Sequence, residues 1–134
     1  MNCIFCKIIA GEIPCDKVFE NERVIAFLDL HPCSFGHTLI VPRVHSETIV
    51  AASEEDRRAL MDVLVPVSEM VLRAVGSHGF NTGINTHAVA GQVIAHTHVH
   101  IIPRFENDGL KHWTSKDVPI DELRALAEKI RAAK

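Results

Sequence analysis

Short apolar runs rich in β-branched residues recur in the first third of the chain and again near residue 100. Runs at 18–19, 24–28 and 38–41 predict three strands, and the polar residues between the first two indicate a hairpin. Two later runs, at 79–85 and 97–103, complete the predicted sheet.

Helical spacing occupies the middle and the end of the chain. Ser53 precedes an acidic turn, as at a helix N-terminus, and apolar residues then recur every three or four positions until Gly76. This predicts one long helix, with a kink at Pro66. A short helical turn is expected at 6–10. A terminal helix is marked by Leu123, Leu126, Ala127 and Ile130. The pattern indicates an α+β fold.

Length and charge narrow the class of protein. The 134 residues suit a single domain, 1–134, and are too few for two ordinary ones. The net charge of −3 comes from interspersed signs, which argues against long nucleic acids but allows a small anionic ligand. No apolar run reaches the roughly 18 residues of a membrane span, and the N-terminus lacks signal-peptide features. We therefore expect a cytoplasmic protein without a membrane partner.

The most informative segment holds three histidines at alternate positions, His96, His98 and His100. In an extended strand these side chains share one face, about 7 Å apart, while the residues between them pack beneath the other face. Imidazole, with an ordinary pKa of about 6.5, is mostly neutral yet readily protonated at pH 7. A lone histidine in a strand is usually structural, but three at strict period two favour phosphate chemistry or a metal.

Two of the four cysteines, Cys3 and Cys6, form a Cys-x-x-Cys pair. In a reducing compartment, cysteines are better explained as thiols or metal ligands than as disulfides. A redox pair would follow a strand, and no strand can precede residue 3. The pair therefore favours half of a zinc site, with two further ligands to be found.

Residues 85–92 form a loop of small residues that leads into the histidine segment. Such residues, Gly91 among them, let main-chain N–H groups approach an anion closely. A glycine-containing loop is ordinarily only a turn. Beside three imidazoles, it becomes a predicted phosphate-binding segment.

The run His96-Thr97-His98-Val99-His100-Ile101-Ile102 resembles the signature of the histidine-triad (HIT) family of nucleotide hydrolases and transferases. Segments 3–9, 26–29, 36–42 and 91–92 also stand in the order and spacing of small family members. The resemblance implies a HIT-like fold, a five-stranded antiparallel sheet with flanking helices. It also implies a homodimer in which the sheet extends across the two subunits.

The resemblance further implies roles for individual residues. His98 would attack the α-phosphate of an adenosine nucleotide derivative, and water would cleave the covalent nucleotidyl-histidine to release NMP. His100 would bind the phosphate and help the leaving group depart, with His37 as a polar or proton-relay partner. The substrate-binding residues would be Asp29 for the ribose hydroxyls, Asn85, Gly91 and Gln92 for the phosphate, and Ile4, Phe5, Ile8, Phe27 and Leu30 for the base.

The same resemblance supplies the missing metal ligands. Bacterial-type members with this Cys-x-x-Cys pair bind zinc with two histidines, which match His45 and His96 here. Cys3, Cys6, His45 and His96 would form a closed tetrahedral Zn²⁺ site, structural rather than catalytic. The chemistry itself would need no cofactor.

One departure leaves the branch of the family open. The residue after Gly91-Gln92 in the substrate-binding loop is Val93, where the phosphoramidase branch has serine and the dinucleoside polyphosphate branch often has threonine. His100 favours hydrolysis over transfer to sugars, because sugar transferases carry glutamine there.

Two other functions stay open at this point. One is a zinc hydrolase in which His98 and His100, with His96 or His37, hold a catalytic metal. The other is a nucleotide-binding protein without turnover.

Overall fold

The structure, a computed structural model, describes residues 2–134. Five antiparallel strands form one sheet in the order β1-β2-β3-β5-β4. This confirms the expected α+β fold with a five-stranded antiparallel sheet, one long helix and a C-terminal helix. The elements are α1 (Ile4–Ile9), β1 (Lys17–Glu20), β2 (Val24–Leu28), β3 (Thr38–Pro42), α2 (Glu54–Val75), β4 (Gly79–Gly83), a 3-10 turn (Ala88–Ala90), β5 (Val99–Arg104) and α3 (Ile120–Ala132).

One face of the sheet packs against the long helix α2. Ile40, Val99 and Ile101 are fully buried there with Leu60 and Val67 of the helix. Each such side chain contributes about 1.5–3 kcal/mol on burial. This face carries the main core, and it leaves the other face available for the functional side chains.

The opposite face packs against the short helix α1. Phe27, Leu39 and Val41 of the sheet are buried there with Phe5 and Ile8 of α1. Alternation along β2, β3 and β5 therefore sends one set of side chains to α2 and the other to α1. A second, smaller core fixes α1 beside the site described below.

The long helix α2 has the ends that its sequence predicts. The Ser53 hydroxyl accepts a hydrogen bond from the Asp56 N–H at 3.1 Å, and Gly76 ends the helix with a left-handed φ of 71°. The helix continues through Pro66.

The strand expected at 97–103 begins later, at Val99. Its first part was predicted wrongly because this backbone is anchored elsewhere: the Thr97 N–H donates to the Ser46 carbonyl at 2.8 Å. The His96 ring, through Nε2, lies 2.9 Å from the carbonyl oxygen of Pro42 in β3. The side chain of His96 thus contacts β3 at a place where the main chain of a longer β5 would have paired with it. Smaller differences are that α1 begins at Ile4 and β4 ends at Gly83.

The C-terminal helix α3 carries no buried residue among those described. Its apolar stripe is exposed, with Leu123 at 48%, Leu126 at 49% and Ile130 at 63%. Within residues 2–134, no helix has both the length and the apolar character that crossing a membrane requires.

Candidate active site and metal centre

The candidate site residues lie on the face of the sheet that carries α1. Across three neighbouring strands, Phe27 is in register with Leu39, and Leu39 with His100. The ring of Phe5 meets Phe27 edge-on at 5.5 Å between centroids, and meets His98 at 5.2 Å. The short helix and the histidine segment therefore form two walls of one cleft.

This cleft is a cavity of about 340 Å³, which we call the base slot. The size lies at the lower end of the usual range for small-molecule sites, about 300–1,000 Å³. Eleven of the residues expected from the sequence line it together: Ile4, Phe5, Ile8, Phe27, Asp29, Leu30, Asn85, Gly91, Val93, His98 and His100. The slot thus combines an apolar end with a carboxylate and two imidazoles.

The loop before β5 is held by Gln92, whose side chain is used within the loop. Its Oε1 accepts from the His87 N–H at 2.8 Å, and its Nε2 donates to the carbonyls of Glu47 and Ile94 at 2.6 and 3.0 Å. The side chain of Asn85 donates to the Gly91 carbonyl at 3.3 Å. Gln92 therefore shapes the loop, whereas Asn85 and Gly91 face the slot.

The orientation of His98 is set by one main-chain acceptor. Its Nδ1 lies 2.6 Å from the carbonyl oxygen of His96, so Nδ1 donates and carries the proton. A neutral imidazole has one donor and one acceptor nitrogen, which leaves the lone pair on Nε2. His98 is buried at 7% exposure yet lines the slot. This is the arrangement that a nucleophilic imidazole needs.

A chain of hydrogen bonds fixes the protons of His37 and His100. The Cys33 N–H donates to Nδ1 of His37 at 3.0 Å, so Nε2 of His37 carries the proton. That nitrogen lies 2.9 Å from Nδ1 of His100 and donates to it. The proton of His100 must then sit on Nε2, a buried atom without a hydrogen-bond partner among residues 2–134. We call the rings of His37 and His100 the proton chain. It ends at an N–H donor that has no acceptor among the described residues.

Burial keeps both rings of the proton chain neutral. Loss of hydration, then the neighbouring His98 and His37, lowers the pKa of His100 to about 4, although Asp29 opposes this. Burial likewise lowers the pKa of His37, against the opposing pull of Asp29. The Oδ2 atom of Asp29 lies 3.6 Å from Nε2 of His37.

The rings of His98 and His100 lie closer than the even spacing of a strand suggested, with centroids 4.9 Å apart. The first ring points elsewhere: Nδ1 of His96 lies 3.4 Å from the sulfur of Cys3 and 3.6 Å from that of Cys6. His98 and His100 therefore form a pair at the slot, while His96 belongs to a second group.

The second group, Cys3, Cys6, His45 and His96, which we call the metal group, brings four ligand atoms within 4.8 Å of one another. Zn–N bonds of about 2.0–2.1 Å and Zn–S bonds of about 2.3 Å give tetrahedral edges of about 3.3–3.4 Å for N···N and about 3.5–3.6 Å for N···S. The observed edges are 3.2 Å between His45 and His96, and 3.4 Å between Cys6 and His45. The donor set and its dimensions fit Zn²⁺.

The protonation of His96 agrees with that fit. Its Nε2 donates to the Pro42 carbonyl at 2.9 Å, which leaves a lone pair on Nδ1, the atom that faces the thiols. Burial lowers the pKa of His96, which further favours the neutral form. His96 thus offers a ligand atom to the metal group while its carbonyl holds His98.

A third group, Asp29, His37 and His100, also has ligand atoms within 4.8 Å of one another. The position of the proton on His37 argues against a metal in this group. Nε2 of His37 carries hydrogen because Nδ1 accepts from Cys33, so a metal at Nε2 would have to displace that proton and oppose an N–H group. This weakens the interpretation in which His37 and His100 hold a catalytic metal.

A second cavity, of about 390 Å³, lies on the far side of His100. We call it the outer lobe. His100 and Asn85 line both cavities, His98 lines only the base slot, and His37 lines only the outer lobe. The chain after β5 supplies Trp113, which is 90% exposed.

Sequence reasoning missed several residues of the slot. Leu39 could have been found from its place opposite Phe27 and His100 in the sheet, but strand register is not visible in a single run of residues. Cys15 and Ile94 also line the slot, and both reach it from irregular segments that carry no periodic signal.

Comparison with known proteins gives a consistent result. The model of the HIT domain matches residues 10–107. The chain belongs to the HIT family. It is 39% identical over 132 residues to an adenosine 5′-monophosphoramidase of Schizosaccharomyces pombe, covering 97% of this chain and 96% of the relative. It is 43% identical over 123 residues, 92% of this chain, to an adenylylsulfatase of Arabidopsis thaliana, but spans only 61% of that relative's length.

Solved structures of HIT proteins share the fold. A crystal structure of a HIT family protein from Bacillus anthracis superimposes with a TM-score of 0.89 at 37% identity, covering 99% of this chain and 97% of that one. A zinc-bound histidine triad protein from Mycobacterium smegmatis superimposes with a TM-score of 0.78 at 28% identity, covering 100% and 99%.

Proposed function

We propose that this HIT protein is a hydrolase that cleaves adenosine nucleotide derivatives at the α-phosphate through a covalent nucleotidyl-histidine, releasing AMP. The observation that carries the proposal is the hydrogen bond from Nδ1 of His98 to the His96 carbonyl, because it leaves the Nε2 lone pair available at the slot. The two named relatives, an adenylylsulfatase and a monophosphoramidase, act on adenylates with different leaving groups.

In the first step, Nε2 of His98 attacks the α-phosphorus, and the bond to the leaving group breaks. The electron pair leaves with that group, whose developing negative charge accepts a hydrogen bond from the Nε2 N–H of His100, and a basic leaving group takes its proton from water. Water then attacks the phosphorus and loses a proton to solvent. The P–N bond to His98 breaks with its electron pair returning to Nε2, and AMP is formed. The slot supports a shared role for His98 and His100 at one phosphate, since the centroids of their rings are 4.9 Å apart.

Recognition of the adenosine would come from the rest of the slot. The apolar side chains of Phe5, Ile8 and Phe27 suit a planar base, and Asp29 can accept from ribose hydroxyls. Its Oδ1 already accepts from the His31 N–H at 2.9 Å, which holds the carboxylate in place. Asn85 and the loop N–H groups beside Gly91 would stabilise the charge that spreads over the phosphate oxygens.

A structural Zn²⁺ in the metal group belongs to the same proposal. Its ligands come from the start of α1 and the residue before it, from the loop after β3 and from the segment before β5, so the ion would join three distant parts of the chain. The zinc-bound relative from Mycobacterium smegmatis supports the choice of metal. The ion would hold His96, and thereby the carbonyl on which His98 depends.

A homodimer also remains part of the proposal. β4 is an edge strand, and edge strands can extend a sheet by pairing with another chain. The exposed apolar stripe of α3 is a second surface that a partner subunit could cover.

The decisive experiment compares wild type with His98→Ala on adenosine 5′-phosphoramidate, after circular dichroism shows that both fold. We expect a loss of at least about a thousandfold in kcat for the variant, as for removal of a nucleophile. Rapid quenching of wild type with radiolabelled substrate should trap acid-labile, protein-bound adenylate. Undiminished turnover by His98→Ala would refute the proposal.

Two further measurements, of metal content and of AMP binding, separate the remaining alternatives. Activity that tracks metal content, and that chelation abolishes in folded protein, would favour a catalytic metal. AMP binding without turnover of any adenylate would favour a binding protein.

A further inference from the structure

The main chain at His87 has a conformation that residues with a Cβ atom rarely adopt. Its φ is 69° and its ψ is 161°. The left-handed region that histidine can occupy lies at ψ of about 30–60°, whereas a positive φ with an extended ψ is essentially restricted to glycine. Such a conformation costs free energy and persists only where neighbouring groups impose it.

The groups that impose it come mainly from Gln92. Its Oε1 accepts from the His87 N–H at 2.8 Å, and its own main-chain N–H donates to the His87 carbonyl at 3.2 Å. The Ala90 N–H donates to the same carbonyl at 3.1 Å. Both main-chain groups of His87 are therefore held by Gln92, which is itself bound to the carbonyls of Glu47 and Ile94.

The conformation of His87 sets the relative position of two residues of the base slot. Asn85 precedes His87 and Gly91 follows it, and the Asn85 side chain donates to the Gly91 carbonyl at 3.3 Å. A Cβ added at Gly91 would lie only 3.4 Å from Nδ2 of Asn85. Both residues line the slot, whereas His87 and Gln92 are not among its described lining residues. Rotation of the main chain at His87 would therefore displace Asn85 from Gly91 and reshape this wall of the slot.

The side chain of Gln92 has no donor left for a phosphate group. Phosphate oxygens accept hydrogen bonds, so a neutral side chain binds them by donating N–H or O–H groups. The two N–H groups on Nε2 of Gln92 donate to the Glu47 carbonyl at 2.6 Å and to the Ile94 carbonyl at 3.0 Å. These partners also identify the amide atoms, because Oε1 faces an N–H group and Nε2 faces two carbonyls. Any effect of this side chain on a phosphate would then pass through the loop.

We infer that Gln92 is a positioning residue that acts on the substrate through His87, by holding it in a glycine-like conformation that keeps Asn85 and Gly91 together at the slot. This inference rests on the proposed function, because the loop is the one that would hold the α-phosphate. Without the Gln92 side chain, His87 returns to a negative φ and the loop rearranges. His87→Gly keeps the loop conformation without that hold, because glycine has no Cβ atom.

The first test measures the strain without any substrate, by comparing His87→Gly with His87→Ala in urea denaturation. Both variants remove the imidazole, but only the alanine variant keeps the Cβ atom. At ordinary positions glycine is the less stable of the two. Here we expect the glycine variant to have a folding equilibrium constant about tenfold larger than that of the alanine variant. Equal stability, or the ordinary order, would overturn the inference.

The second test places Gln92→Ala in three backgrounds, namely wild type, His87→Gly and His87→Ala, after circular dichroism shows that each protein folds. In wild type and in His87→Ala, Gln92→Ala should lower kcat/KM for adenosine 5′-phosphoramidate about a hundredfold, as for misplacement by about 1 Å. In His87→Gly the loss should be less than about tenfold, because the loop no longer needs the hold. The Kd for AMP should show the same rescue.

The outcomes separate the inference from the proposed function. Equal losses in all three backgrounds would show that Gln92 contacts the substrate directly, and the absence of any loss would show that its hold is not needed. Either result would overturn the inference. Rescue of AMP binding by His87→Gly, without turnover by wild type, would refute the proposed hydrolysis and leave the inference standing.

Discussion

The metal group and the proton chain bring similar residues together in two different ways. In each, histidine nitrogens lie within 4.8 Å of the other ligand atoms. In the metal group, Nε2 of His96 carries the proton and donates it in a hydrogen bond to the Pro42 carbonyl. The lone pair is therefore on Nδ1, which faces the thiols. In the proton chain, the Cys33 N–H donates to Nδ1 of His37, so the proton of that ring is on Nε2, which faces His100. In each group, one main-chain partner therefore decides which nitrogen of the ring carries the proton and which keeps a lone pair.

The largest expected effect comes from breaking the metal group. Removing the ion by chelation, or replacing a ligand in Cys6→Ser, should lower the free energy of unfolding by about 4 kcal/mol or more, as for a ligand bound a thousandfold above its Kd. Urea denaturation with metal content measured by mass spectrometry checks this. Cys33→Ser, which alters an exposed thiol outside the metal group, is the control. Equal stability after verified removal of zinc would contradict a structural role for the ion.

Next in size is the pH dependence that the proton chain imposes on stability. The pKa of His100, about 4 in the folded chain and about 6.5 when unfolded, means that the unfolded state binds the extra proton between these values. Stability should therefore fall as pH drops from about 6.5 to about 4, by up to about 3 kcal/mol from this residue. His100→Asn should flatten the decline relative to wild type in urea titrations at each pH. Parallel curves would show that His100 is not held neutral.

The smallest effect concerns the single N–H that orients the proton chain. Cys33→Pro removes it, while Cys33→Ala keeps it. We expect Cys33→Pro to lower kcat about tenfold for adenosine 5′-phosphoramidate, whose poor leaving group depends on the hydrogen bond from His100, and less than threefold for adenylyl sulfate, whose sulfate leaves readily without it. An equal loss on both substrates, or the same loss in Cys33→Ala, would remove the N–H from the argument.

Only part of this comparison was predictable from local patterns in the sequence, namely the Cys-x-x-Cys pair and the alternating histidines, while the partners that complete both groups came from the family resemblance. The helix caps at Ser53 and Gly76 are at the predicted positions, and the metal ligands expected from family resemblance lie together. The roles of the side chains stay predictions. What the sequence could not supply is the direction of each proton, since the Pro42 carbonyl and the Cys33 N–H are main-chain groups that any residue has.

The late start of β5 likewise depends on main-chain hydrogen bonds that the sequence does not reveal. Alternation of His96, Thr97 and His98 is real in the sequence, yet Thr97 bonds to Ser46 instead of to a strand. Strand periodicity reports which side chains alternate, but not which backbone they pair with.

The short helix α1 carries a consequence for how binding measurements are read. A helix of six residues has little stability of its own, and α1 carries the thiol of Cys6, follows directly on that of Cys3 and forms one wall of the base slot. Molecules with and without zinc would therefore share a sheet but differ in the slot. A partly loaded sample is then a mixture of competent and incompetent proteins, in which the number of AMP molecules bound per chain falls with the loaded fraction while the Kd of the loaded molecules is unchanged.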